Sequence, residues 1–279
     1  MKQRRLTLAE ITLFREHMIR EEKSAATVEK YIRDVRTFLL FLSGKPLSKE
    51  QTMAYKRKLT EDGYAIRSIN SMLISVNSLL AFLGRTDCRV KIYKIQRKIY
   101  APEEKELTKT EYLRLCKAAE KQPRLRLILE TICSTGIRVS ELKYFTVDAV
   151  RRGEITVSCK NKTRTIFVPG KLKRLLLSYA KRAGMVQGVI FRTRSGNPLN
   201  RSNIWAQMKK LCHAAGVNSK KVFPHNLRKL FARTFYSIEK DIAKLADILG
   251  HTSIDTTRIY IMSTGTEHRR RMERLGLLV

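Results

Sequence analysis

Residues 154–168 read Glu154-Ile155-Thr156-Val157-Ser158-Cys159-Lys160-Asn161-Lys162-Thr163-Arg164-Thr165-Ile166-Phe167-Val168. This stretch changes the period of the chain. Ile155-Thr156-Val157 and Thr165-Ile166-Phe167-Val168 are β-rich runs on either side of the polar turn Lys160-Asn161-Lys162-Thr163, the signature of a hairpin. Pro169-Gly170 closes it, and helical spacing resumes through Leu175-Leu176-Leu177. With helical periodicity before and after, the fold class is mainly α with a small antiparallel β-sheet.

Upstream, the first hundred residues read as four helices. Thr7-Leu8-Ala9-Glu10 and Ser48-Lys49-Glu50-Gln51 both fit a capping box, a hydroxyl followed three residues later by a carboxylate or amide. Val28, Tyr31, Ile32, Val35, Phe38, Leu39 and Leu42 recur at three- and four-residue steps until Ser43-Gly44. A fourth helix is expected from Ile66 to Leu83, with Gly84 as its stop. A charged connector with Pro102 and Glu103-Glu104-Lys105-Glu106 follows, and a new capping box, Thr108-Lys109-Thr110-Glu111, opens the next helix. The expected organisation is a helical domain over 1–97, a linker over 98–107 and a second domain over 108–279.

The 57 Lys and Arg against 25 Asp and Glu leave a net charge of +32, which demands a polyanionic partner, nucleic acid first. Between Ile155 and Ile238 stand 18 basic residues and no acidic one, which reads as a surface built against phosphates. No apolar run is long enough for a membrane span, and no secretory signal follows the basic start. The five cysteines are scattered without a C-x-x-C pair, against a disulfide framework or a zinc site and in keeping with a reducing cytoplasm. No G-x-x-x-x-G-K-[ST] loop and no carboxylate cluster suited to Mg²⁺ occurs, so neither cofactor nor metal is expected.

Four clusters carry groups capable of chemistry. Thr135-Gly136-Ile137-Arg138-Val139-Ser140-Glu141-Leu142 puts Arg138 at a helix start, with Glu141 holding an arginine or a helix end. Lys160 lies at the hairpin tip. Pro224-His225-Asn226-Leu227-Arg228 puts His225 and Arg228 on one face of a helix that Pro224 can initiate. Leu249-Gly250-His251 ends one helix, and Asp255 caps another that carries Tyr260. Singly, each is a weak signal.

In order they run Arg138, Lys160, His225, Arg228, His251, Tyr260, and this order resembles the tyrosine recombinase (phage integrase) family across nearly the whole chain. The resemblance implies a core-binding, SAM-like DNA-binding domain followed by a catalytic domain, Xer-like and without an arm-binding domain. It implies that Tyr260 is the nucleophile, forming a 3′-phosphotyrosyl link, while Arg138 and Arg228 hold the phosphate oxygens. Lys160 would be the general acid, and His225 and His251 would donate to the phosphate or help deprotonate Tyr260. No glycine follows Lys160, so Lys162 stays open as the acid, with Lys160 preferred as the first turn residue. Tyr236, Tyr144 and Tyr179 are nucleophiles only in principle, since none follows a Gly-His pair. The implied partners are double-stranded DNA with inverted core sites and three further copies of the chain. The apolar end Leu275-Gly276-Leu277-Leu278-Val279 would be exchanged between subunits of that homotetramer, with no membrane involved. A catalytically inactive DNA-binding accessory factor and a type IB topoisomerase-like enzyme are the alternatives.

Overall fold

The computed structural model describes residues 5–96, 100, 102–159, 162–193 and 195–276. The chain divides into two compact units, Met1–Arg97 and Lys98–Val279.

Among its described residues the first unit holds four α-helices, α1 (Leu8–Arg20), α2 (Ala25–Leu42), α3 (Lys49–Glu61) and α4 (Ile66–Phe82), and a 3₁₀ turn at Thr86–Cys88. Both halves of the Thr7–Glu10 capping box form, whereas Ser48 accepts the Gln51 amide without the reciprocal bond. The stripe of α2 is buried as its spacing requires, with Phe38 stacked obliquely on Tyr55 of α3 at 5.0 Å. Asp34 of α2 is buried too. It accepts from Lys30 at 2.8 Å and from Ser75 of α4 at 3.0 Å, so its charge is compensated within the helix pair. Beyond α4 the chain runs back along that helix. Asn70 and Asn77, two turns apart, each bind one backbone amide and its own carbonyl, those of Tyr93 and Val90, as a β-partner would.

The second unit begins with a short 3₁₀ turn at Glu103–Lys105, then α5 (Lys109–Ala118) and α6 (Pro123–Thr135). A 3₁₀ helix, Val139–Tyr144, leads to α7 (Val147–Arg152) and a two-stranded antiparallel sheet of β1 (Glu154–Cys159) and β2 (Lys162–Phe167). Then come α8 (Gly170–Arg182), α9 (Arg201–Ala215), α10 (Pro224–Glu239), α11 (Ile242–Leu249), α12 (Ile254–Ile261) and α13 (Gly265–Glu273). Ile155, Val157, Ile166 and Val168 face the core formed with α6, α8 and α9, which anchors the hairpin. Cys159 pairs with Lys162, so β2 starts earlier than the expected four-residue turn allows. Lys160 and Asn161 lie outside the described residues.

Helix α10 is the spine of the site. Pro224 opens it, and the buried Asn226 amide donates to the carbonyls of Lys105 and Lys221 at 2.7 Å each, fixing its first turn. Glu106, from the charged connector, is buried and receives Lys229 at 2.9 Å and Arg233 at 3.6 Å. A small apolar cluster of Ala232, Leu245, Leu249 and Tyr260 seats α11 and α12 on α10. The acid-free stretch is therefore only in part a surface for phosphates. Among the described residues, Arg164, Lys221, Lys229 and Arg233 pair with Glu141, Glu111, Glu106 and Glu267, all from outside that stretch.

Candidate active site

Of the helices that end at glycines in the left-handed conformation, α6 and α11 bring their ends to Arg228. Gly136 caps α6 at φ 66°, and Gly250 caps α11 at φ 63°. A side chain at Gly136 would come within 2.4 Å of the Phe231 ring, and one at Gly250 within 2.8 Å of Arg164. Only glycine suits either place on both counts. The freed carbonyls of such ends carry partial negative charge.

Arg228, on α10, is only 2% exposed and uses that charge. Its guanidinium donates to the carbonyl of Gly136 and, at 2.6 Å, to that of Leu249. A third bond, 3.0 Å long, joins it to His251 Nε2. Burial and the neighbouring Arg138 push its pKa down to about 10, which leaves it charged at neutral pH. Its Nε is buried with no partner among the described residues.

These bonds decide the state of His251. Arginine only donates, so Nε2 must accept and the ring proton sits on Nδ1. Nδ1 then donates to Thr257 Oγ1 at 2.8 Å. Thr257 is buried on α12, one helical turn before Tyr260, so the histidine orients the helix that carries the tyrosine. Burial, then Arg228 and Arg138, push the His251 pKa down to about 4. The ring is neutral in ordinary buffer.

Tyr260 is 8% exposed, its ring wedged between two imidazoles with centroids 4.9 Å from His225 and 4.8 Å from His251. The Arg228 guanidinium carbon stands 5.9 Å from the ring centre. Tyr260 Oη lies 3.5 Å from His225 Nδ1, a long contact of the sort that tightens when substrate arrives. Partial burial, then the charges of Lys229, Arg228 and Arg201, lower the His225 pKa, so it too favours the neutral, proton-accepting form.

Arg138 caps the 3₁₀ helix at Val139–Tyr144. Its backbone N–H and its guanidinium donate to Glu141 at 2.8 and 3.0 Å, and a second guanidinium nitrogen reaches the Gly250 carbonyl at 3.1 Å. Glu141 accepts two further bonds, 2.9 and 2.8 Å, from Arg164. Burial works to raise the Glu141 pKa, but the bonds from Arg164 and Arg138 outweigh it and hold the carboxyl below its usual range.

Five of the six expected residues thus converge: Arg138, His225, Arg228, His251 and Tyr260. The sixth, Lys160, lies outside the described residues; its rival Lys162 opens β2. Of the other tyrosines, Tyr144 donates to the Ser158 carbonyl at 2.8 Å and Tyr179 packs against the core of the unit. The cap of α12 is Ser253, which accepts the Asp255 amide, and not Asp255. Both are good capping residues two positions apart, and only the backbone geometry separates them. Sequence reasoning missed Thr257 and Arg164. A signal for Arg164 existed: it shares the inward face of β2 with Ile166 and Val168, where a cation needs a buried partner.

The phage integrase family matches residues 105–267, and its N-terminal SAM-like domain matches residues 11–87. The tyrosine recombinase XerA of Pyrococcus furiosus is 29% identical over 288 residues, covering 100% of this chain and 98% of that protein. The crystal structure of a XerA recombinase matches with 26% identity and a TM-score of 0.55, over 97% of this chain and 99% of that one. A lambda integrase dimer bound to a COC′ core site shares the fold at a TM-score of 0.74, with 18% identity over 93% of this chain and 96% of that one.

The lowered His251 pKa has a pH signature. Above the ordinary histidine pKa, about 6.5, folded and unfolded chains both carry a neutral ring. As pH falls from there towards the folded value of about 4, the unfolded chain binds a proton that the folded site refuses, and stability drops. His225 contributes in the same sense. Thermal melts at neutral pH and near pH 4.5 should show a smaller acid-induced fall for His251→Gln than for wild type. Identical falls would assign the effect to other groups.

Proposed function

The chain belongs to the phage integrase family, and we propose that it runs site-specific DNA recombination through Tyr260 as nucleophile, with Arg138, Lys160, His225, Arg228 and His251 around the scissile phosphate. The enzyme cuts and rejoins DNA. The observation that carries the assignment is the seat of Tyr260, between two neutral imidazoles and beside the buried cation of Arg228.

Tyr260 Oη attacks the phosphorus and gives its proton to His225 Nδ1. His251 is the weaker base, because its Nε2 lone pair is already engaged by Arg228. Arg138 and Arg228 stabilise the charge that grows on the non-bridging oxygens. The 5′-oxygen leaves with a proton from Lys160, and the protein is left linked to the 3′-phosphate. Attack by the 5′-hydroxyl of a partner duplex reverses these steps, so the bond energy is kept and no cofactor is consumed. Two rounds, separated by a Holliday junction, exchange both strand pairs. An inactive accessory factor has no use for a complete set of this kind. A type IB topoisomerase-like enzyme would share the chemistry, but the family match and the recombinase relatives support the recombinase reading.

Inverted core sites on DNA and a homotetramer joined by exchanged tails complete the reading. Its support is at the end of α13, where Met272 is 57% and Leu275 61% exposed, apolar side chains that their own unit leaves in solvent. Leu277, Leu278 and Val279 lie outside the described residues.

Three experiments test this, each on a core site that the protein itself enriches from random-sequence duplexes. On a nicked suicide substrate, wild type should form a covalent adduct on a denaturing gel while Tyr260→Phe binds and forms none; an adduct from the variant would refute the nucleophile. Lys160→Ala should cleave about 10²-fold more slowly and recover most of that rate when the leaving 5′-oxygen is replaced by sulfur, which departs without a proton. Recovery seen with Lys162→Ala instead would move the acid to Lys162. Deleting residues 273–279 should spare binding to one half-site but abolish cooperative binding to two in gel shifts, and unchanged cooperativity would reduce the tail to a local cap.

A further inference from the structure

Arg164 has no part in the reaction as described so far, yet it is built into the site more tightly than Arg138. Its fork is bidentate on Glu141, at 2.9 and 2.8 Å, the geometry in which guanidinium and carboxylate bind best. Its stem runs beneath Gly250, where an added Cβ would meet Cδ at 2.9 Å. Arg138 spans the same two points from the other side, donating to Glu141 at 3.0 Å and to the Gly250 carbonyl at 3.1 Å. The contacts close a ring: β2 to Glu141, Glu141 to Arg138, Arg138 to Gly250, and Gly250 back onto the Arg164 side chain.

The charges in this ring matter as much as its shape. Glu141 is buried and ionised, and facing Arg138 alone it would cancel that cation and draw it away from an incoming phosphate. Arg164 supplies the second positive charge. The trio is then net positive, and only one guanidinium nitrogen of Arg138 is committed to the carboxylate.

We propose that Arg164 is a positioning residue for strand cleavage: by holding and neutralising Glu141, it keeps Arg138 aimed and charged for the scissile phosphate. The inference rests on the reading of Arg138 as a phosphate ligand. It also ties β2 to the turn that leads into His251, so that both share one fixed reference.

The test uses full-length protein at saturating DNA on the nicked suicide substrate, in single-turnover mode. One version carries the normal phosphate at the cleavage position. The other carries a methylphosphonate, in which one charged oxygen is replaced by methyl so that less positive charge is needed. Arg164→Leu should cleave the normal substrate about 10- to 100-fold more slowly, the scale expected when a reacting group is displaced by an ångström. Half-site affinity should change less than threefold, since phosphate contacts elsewhere are untouched. On the methylphosphonate most of the deficit should vanish, as it should for Arg138→Ala. Adding Arg164→Leu to Arg138→Ala should then cost little more, because one residue acts through the other. Arg164→Lys, which keeps the charge and the stem without the fork, should fall between and serves if the leucine variant unfolds. An equal deficit on both substrates, or additive losses, would overturn the proposal and leave Arg164 a scaffold residue. If wild type forms no adduct, the functional reading fails. If wild type cleaves and Arg138→Ala does too at full rate, only the role of Arg138, and with it this inference, is lost.

Discussion

A buried arginine that bolts two helix ends together is the constraint on which the rest of the second unit depends. Arg228 binds the carbonyls that close α6 and α11, and those helices come from opposite ends of the unit. Removing it would leave both carbonyls without their donor, at a cost of about 1–3 kcal/mol for each buried acceptor left unsatisfied. It would also free His251, whose tautomer the arginine dictates, and through Thr257 the helix that presents Tyr260. The packing of two helix ends and the seat of Tyr260 both depend here on one side chain. Its buried Nε has no partner among the described residues.

Around that bolt, a second arginine pair shares Glu141. The two assemblies meet at the turn after α11, where Leu249 supplies a carbonyl to Arg228 and Gly250 one to Arg138. Successive carbonyls of one helix end thus place two cations, and their spacing is set by backbone geometry and not by flexible side chains. Cations held in this way need little rearrangement to keep their places.

Much of this was legible in the sequence because local rules governed it. The stripe of α2, the boxes at Thr7 and Thr108 and the change of period at Glu154 all involve residues within a turn or two of one another. The order of Arg138, His225, Arg228, His251 and Tyr260 was legible for a different reason, since five spaced residue types constrain one another jointly. What escaped was pairing across the fold. Glu141 was expected to hold an arginine, but that its bidentate partner is Arg164 follows from the packing of a strand against a helix end. Glu106 read only as part of a charged connector; it is buried, because Lys229 and Arg233 on α10 meet it from a distant part of the chain. Counting charge along the acid-free stretch could not reveal which of its cations already had partners.

The glycine at position 250 has a bearing on how such a chain can drift through evolutionary time. Its φ of 63° bars most side chains, and the Arg164 stem bars the rest. Shortening residue 164 would clear space for a Cβ but not relax the backbone, so asparagine is the natural second tenant, as the residue that best tolerates that conformation after glycine. In a chain that lost the arginine on β2, the glycine of the Leu249-Gly250-His251 turn would have room to change. The two positions, on separate elements, are sterically one unit of variation.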